Sequence, residues 1–294
     1  MTTEQAETAE ATPRYQELRH SVRLLLSNPV SAAGAAGVLL LLLTAALAPY
    51  IAPYDPLAIN LQGRFLDPSG EHLFGTDHLG RDVFSRIVWG SRVSLTVGLI
   101  TLIEASVLGT IVGLVAGYKG GWVDSLVMRI TDVFLAFPSI ILALAVAAAL
   151  GRGLTSVMMA LGITWWPLYA RLIRGQTLSV REEQYIEGAR LSGAGGIRIM
   201  FKHILPNCMA AIIVQISMDV GFTILAAASM GFLGIGAQHP SPEWGLQCAS
   251  GAKYLVYQWW ISTFPGLAIF LSVISFNLLG DGLRDVLDPR LRRG

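Results

Sequence analysis

The chain has 294 residues, of which 53% are hydrophobic and only 14% charged, with a mean hydropathy of +0.56. A soluble domain carries charge on roughly a quarter of its residues, so this composition excludes an ordinary water-soluble globule. A formal net charge of +1 lacks the basic surplus a nucleic-acid binder needs, and Cys208 and Cys248 lack the spacing of a metal or disulfide framework.

Residues 1–23 open with the polar MTTEQAETAEAT and read as a tail. An uncharged apolar run follows from Leu24 to Tyr54, densest over VSAAGAAGVLLLLLTAALA. A membrane-crossing helix takes about 20 such residues, which makes 24–52 the first crossing. Its ALAP stretch has the small residues of a secretory cleavage site. The run exceeds the ~7–15-residue core of such signals, and proline would follow the cut, so an anchor is expected. Residues 53–92 are rich in Pro, Gly, Asp and Asn and form a sizeable connecting segment. Further apolar runs cover Ser94 to Tyr118 (broken only by Glu104), Val133 to Gly151, about Gly153 to Ala170, about Cys208 to Gly236 (holding Asp219), and Tyr254 to Gly280. The expected fold is an all-α polytopic membrane protein of about six transmembrane helices, with residues 93–283 as its core and 284–294 as a second tail.

An even number of crossings puts both termini on one side, and the 21 lysines and arginines indicate which. Arg64, Arg81, Arg86, Arg92, Arg152 and Lys253 fall in one set of segments; the rest fall in the other set, with both tails. Cytoplasmic segments hold the excess of Lys and Arg. Both termini are therefore expected inside, and residues 53–92 and the loop GAQHPSPEWGLQCASGAKY outside.

The segment between the fourth and fifth runs breaks the pattern. Good helix formers extend from Val180 to Ser192, then GAGG offers a flexible, close-approach hinge. A second short helix is expected, with Ile197, Met200, Phe201 and Ile204 on one apolar face and Pro206 ending it. Such an elbow suits a groove on another protein. A charged connecting loop is the alternative that the physics leaves open.

Glu187-Gly188-Ala189, then Gly193, then a run ending Leu205-Pro206 resemble the EAA signature of binding-protein-dependent ABC importer permeases. Gly188 stands where that family usually has Ala, and His203 where it has Ile; the glycine weakens a helix by up to ~1 kcal/mol. Longer stretches in matching order are similar to the C-type permeases of dipeptide, oligopeptide and nickel importers: LFGTDHLGRDVFSRIVWGSRVSL, AGYKGGWVDSLVMRITDVFLAFPS, FLGIGAQHPSPEWG and TFPGLAIFLSVISFNLLGDGLRDVLDPRL. The resemblance implies a MetI-like helical bundle in a bacterial inner membrane, forming half of a pore. A B-type permease would form the other half, two cytosolic ATPases would bind ATP and Mg, and a soluble or lipid-anchored solute-binding protein would deliver cargo. It further implies a coupling helix within 180–206, with Glu187, Gly188, Ala189, Arg190, Gly193, Gly196, Leu205 and Pro206 as the docking unit. Small peptides are the expected cargo; a nickel chelate, glutathione or an opine is the alternative.

The chain offers no G-x-x-x-x-G-K-[ST], no H-E-x-x-H and no paired catalytic carboxylates. No catalytic residue, metal or cofactor is assigned to it, and a polytopic enzyme or a self-sufficient channel is disfavoured. Charges at membrane depth are functional candidates. Glu104 and Asp219 either line a translocation path or serve the bundle structurally, and Asp132 is expected in an ion pair near Arg129. In the outer segments, Asp77, Arg81, Asp82, Glu243 and Trp244 either dock a binding protein or cap the bundle. His72, His78 and His239 lack metal-ligand spacing, and Trp259 and Trp260 read as interfacial anchors.

Overall fold

The computed structural model describes residues 23–287. Most of both expected tails, with Arg14, Arg19, Arg290, Arg292 and Arg293, falls outside the described residues. Helix α1 (Pro29–Ala46) starts where Asn28 accepts from the Val30 N–H and Pro29 fills the first turn. Helix α2 (Val83–Lys119) is a 37-residue rod begun by Asp82, whose carboxylate accepts from the Ser85 N–H at 2.7 Å. At 1.5 Å per residue it is about 55 Å long, against a ~30 Å hydrocarbon core, so it has length to spare beyond the lipid interior.

Helices α3 (Gly121–Leu135) and α4 (Ser139–Leu150) meet at a 90° bend. The expected straight crossing from Val133 to Gly151 is thus corrected: Pro138 disfavours helical backbone before it and breaks the run. The chain continues through α5 (Leu154–Val180), α6 (Gln184–Leu191), α7 (Leu205–Phe232), α8 (Trp244–Ala252) and α9 (Trp260–Leu287). Among the described residues, four helices are long and apolar enough to cross a membrane, or five with the bent pair counted as one. Helix α5 is the remaining member of the expected six. It is less apolar than the others, with Trp165, Trp166, Pro167 and Tyr169 mid-helix and Arg171 and Arg174 beyond, yet it is among the most deeply packed helices. Two boundaries also move. Helix α2 begins at Val83, inside the 53–92 segment, and α9 begins at Trp260, after turns in which Tyr254 O accepts from Tyr257 and Gln258.

The broadest helix–helix interface joins α2 to α5. The stretch GTIVGLVAG explains it: Gly109, Gly113 and Gly117 recur every four residues and share one face. A Cβ at Gly113 would run into the Ala170 carbonyl, and one at Gly117 would lie 2.7 Å from Thr177 Cβ. In lipid no water is released when apolar helices meet, so close packing of small residues drives association. The central core gathers Leu102, Leu161, Trp165, Tyr169, Ile224 and Met230 from α2, α5 and α7.

Candidate functional site

The elbow is built onto the last turn of α2. Arg181 caps α5, and its Nη1 donates to Gly117 O at 2.9 Å. Ile186 of α6 is fully buried in a cluster with Leu114, Ile173, Ile199 and Ile204. The Arg190 guanidinium lies 5.7 Å over the Tyr118 ring. Helix α6 then stops in a Schellman turn: Gly193 N–H donates to Arg190 O and Ala194 N–H to Ala189 O, both at 3.0 Å, with Gly193 at φ 78°. Gly195 has ordinary backbone, and a Cβ on Gly196 would sit 3.1 Å from the Tyr118 ring. The close approach expected of GAGG is made at Gly196, and the turn is capped at Gly193.

The expected second helix is corrected. Gly196–Arg198 runs through a π-helical stretch, Ile199–Ile204, straight into α7. Leu205 N–H reaches back to Met200 O, widening the turn before Pro206, which has no N–H to donate. Pro206 lies in the first turn of α7 and ends nothing. The wider turn splits the expected apolar face. Met200 and Ile204 point inward, while Ile197 is 74% and Phe201 48% exposed. With Tyr185 and Leu191, the latter 85% exposed, they form an uncovered apolar rim beside the exposed Glu187 and Arg190. Gly188 and Pro206 are exposed, whereas Ala189 and Leu205 are half-buried.

Glu104 lies exposed on α2 beside α5, its Oε2 2.8 Å from the point a Gly162 Cβ would occupy. Asp219, midway along α7, is half-buried and furnished with donors. Tyr169 Oη donates to its Oδ2 at 2.8 Å, and Gln215 Nε2 reaches both oxygens at 3.0 Å. Asp132 pairs with Arg171 of α5, not with the neighbouring Arg129. A second pair, Asp124 with Arg174 at 2.5 and 2.6 Å, also ties α3 to α5.

At the opposite end of α2, the two expected outer segments are sewn together. Asp77 and Arg81 form an ion pair at 2.7 Å, and Arg86 donates to Pro56 O and Ser241 O. Asp82 also takes a 2.9 Å bond with His72 Nδ1, beyond capping α2. Glu243 caps α8 by accepting from the Gly245 and Leu246 N–H groups, and Trp244 Nε1 donates to Ile87 O at 3.0 Å. Burial pushes the Glu243 carboxyl up to about 7 despite those two donors. Asp77, Arg81, Asp82, Glu243 and Trp244 are between 1% and 4% exposed. Their candidacy as contact residues for an outside protein is corrected: the side chains hold the loops together, leaving any partner the surface around them. Trp260 is likewise no interfacial anchor, since it is buried and donates to Thr76 O at 3.1 Å; Trp259 is exposed.

A family model described as a binding-protein-dependent transport system inner membrane component matches residues 109–293. The match takes in the elbow, the Asp219 cluster and more than half of the chain. The chain belongs to this family of transport permeases. A second model, the N-terminal TM domain of oligopeptide transport permease C, matches residues 18–68 of the permease. A probable D,D-dipeptide transport system permease protein of Escherichia coli (strain K12) is 44% identical to it over 97% of this chain and 96% of that relative. A dipeptide transport system permease protein of Alkalihalophilus pseudofirmus is 44% identical over 93% and 90%. A glutathione transport system permease protein of Pectobacterium atrosepticum is 46% identical over 92% and 90%. The family consists of transport subunits rather than enzymes, described as an inner membrane component, and the several long apolar helices make the permease a multi-pass one.

Sequence reasoning misses several residues that build these sites. Tyr118 and Arg181 carry the elbow, and Tyr118 sits in AGYKGG, where an aromatic between glycines at a helix end is a readable signal. Gln215 stands one helical turn from Asp219, a spacing that brings side chains together. Tyr169 has no such signal, because its partner is 50 residues away.

Proposed function

We propose that this permease forms one half of the membrane pathway of an ATP-driven peptide importer, with the elbow as the part an ATPase grips. The observation that carries the reading is the two-sided elbow. Its inner side is fixed to α2 through Ile186, Tyr118 and Arg181, while its outer side leaves Tyr185, Leu191, Ile197 and Phe201 without cover. A rim that is rigid beneath and apolar above fits a helix seated in a groove. Glu187, Gly188, Ala189, Arg190, Gly193, Gly196, Leu205 and Pro206 belong to this coupling unit, in contact with the groove or in shaping the elbow.

A B-type permease completes the pathway, two cytosolic ATPases hold ATP and Mg, and a solute-binding protein delivers cargo from outside. Both termini and the elbow face the cytoplasm, in keeping with the Lys and Arg bias. Nucleotide binding moves the elbow, and the α2 rod carries that motion to the loop end; the ATPase shifts the equilibrium only through contacts that differ between the two states. Glu104 and Asp219 face the pathway. Dipeptide and glutathione relatives of nearly equal identity support a short peptide as cargo, with glutathione as the second reading.

The test is co-expression with a second permease and the ATPases, followed by purification and dipeptide uptake into membrane vesicles. The expected result is a stable complex and ATP-dependent uptake that excess glutathione competes with only if the second reading holds. A chain that purifies alone from cells holding those partners contradicts the proposal.

A further inference from the structure

Asp219 is a carboxyl group without a cationic partner at membrane depth: among the described residues, no Lys, Arg or His forms an ion pair with it. Its hydrogen-bond partners, the Tyr169 hydroxyl and the Gln215 amide, are neutral and act as donors to its oxygens. Donors of this kind stabilise the charged form without neutralising it. The residue is only half-buried, which leaves it an accessible side. An ionised group facing acyl chains costs several kcal/mol, which argues that this side meets water or a polar ligand. One turn further along α7, Phe222 is exposed and stacks on Trp165 of α5, with ring centroids 5.2 Å apart. The open face thus combines an anion with an aromatic surface, the pairing that receives an ammonium group bearing an apolar substituent.

We infer that Asp219, held by Tyr169 and Gln215, is a transient seat for the α-ammonium group of a peptide crossing the bundle. The inference rests on the importer reading and names the chemical group that the pathway recognises. Tyr169 and Gln215 are positioning residues: their donors fix the carboxylate rotamer. The seat is weak because only one charge serves it, and a pathway needs a site that releases as readily as it binds.

The experiment uses the assembled complex in vesicles, with Cys208→Ser and Cys248→Ser and a reporter thiol from Phe222→Cys. The thiol is treated with 2-aminoethyl or 2-sulfonatoethyl methanethiosulfonate, and the two rates are normalised to those on free cysteine. With Asp219 present, the cationic reagent is expected to react about tenfold faster, the scale of local enrichment beside a focused charge. Adding Asp219→Asn should erase the preference, and Tyr169→Phe should reduce it. In the wild-type background, Asp219→Asn should slow dialanine uptake about tenfold without loss of complex, as for one lost charge contact.

Equal rates with both reagents, a preference that survives Asp219→Asn, or an unreactive thiol would overturn the seat and leave the importer reading standing. A preference that obeys Asp219 in vesicles that take up no dialanine would overturn the ammonium assignment together with the peptide reading. If Asp219→Asn fails to assemble, the Tyr169→Phe preference decides in its place.

Discussion

Gly193 must hold φ 78° to close α6, a conformation that costs an ordinary L-residue roughly 1–2 kcal/mol and a β-branched one more. Nothing crowds its Cβ position, so backbone geometry alone sets the requirement. Gly193→Val is therefore expected to abolish uptake while membrane content stays unchanged, and Gly193→Asn to retain much of it, because asparagine tolerates the left-handed region. Transport assays beside immunoblots of membranes distinguish the two; equal loss in both variants contradicts the cap. Glu243 offers a pH test. Its folded carboxyl titrates near about 7 against an ordinary 4.5, so the folded loop end binds a proton that the unfolded chain has already released. Its contribution to stability is full below 4.5 and is lost as pH rises to about 7. His78 and His239, held low mainly by burial, act in the opposite sense, so the comparison with Glu243→Gln isolates the carboxyl. The Tm advantage of wild type over that variant is expected to shrink between pH 5 and 7, by the equivalent of a few kcal/mol. A pH-independent difference would remove Glu243 from the account.

Among the elements, the α2–α5 contact is the one most exposed to a single change. Gly113→Leu forces a side chain into the Ala170 backbone, with no flexible neighbour to yield. It is expected to lower Tm and the yield of folded protein, since overpacking costs about 1–3 kcal/mol, with Gly113→Ala intermediate. Unchanged melting would mean that the helices do not approach as closely as this interface requires. Ile186→Ala tests the elbow's anchor: truncating a buried isoleucine costs about 2–5 kcal/mol, and the expected effect is reduced uptake per ATP hydrolysed. An unchanged ratio would show that α6 transmits force without that anchor. The crossings were legible because length in lipid is a composition signal, and the elbow because polarity between apolar runs is conspicuous. The bend at Pro138 was missed, because the uncharged apolar run continues through it and nothing in the run gives an angle. The split face of Ile197 and Phe201 was not legible, because a π-helical turn depends on where Pro206 falls against the α7 ladder. Asp77, Arg81 and Glu243 looked like surface charges; pairing across two distant loops, invisible in one chain pattern, buries them.

Across the whole molecule, α2 is the member that reaches from the outer loops to the elbow. Its first turns carry the sewn loops through Arg86 and Gly90, its middle holds Glu104 beside α5, and its last turn carries the elbow through Leu114 and Tyr118. A rod of that length links the two ends directly, which is what an importer driven from one side requires. The most direct measurement places a photo-cross-linking residue at Leu191, on the uncovered rim of α6, in cells that express the complete transporter. Irradiation is expected to join the permease to its ATPase subunit, with the adduct lost in the Gly193→Val variant. Labelling of Leu191 from the outer side of the membrane, or the absence of any ATPase adduct from a complex that still transports, would contradict the account.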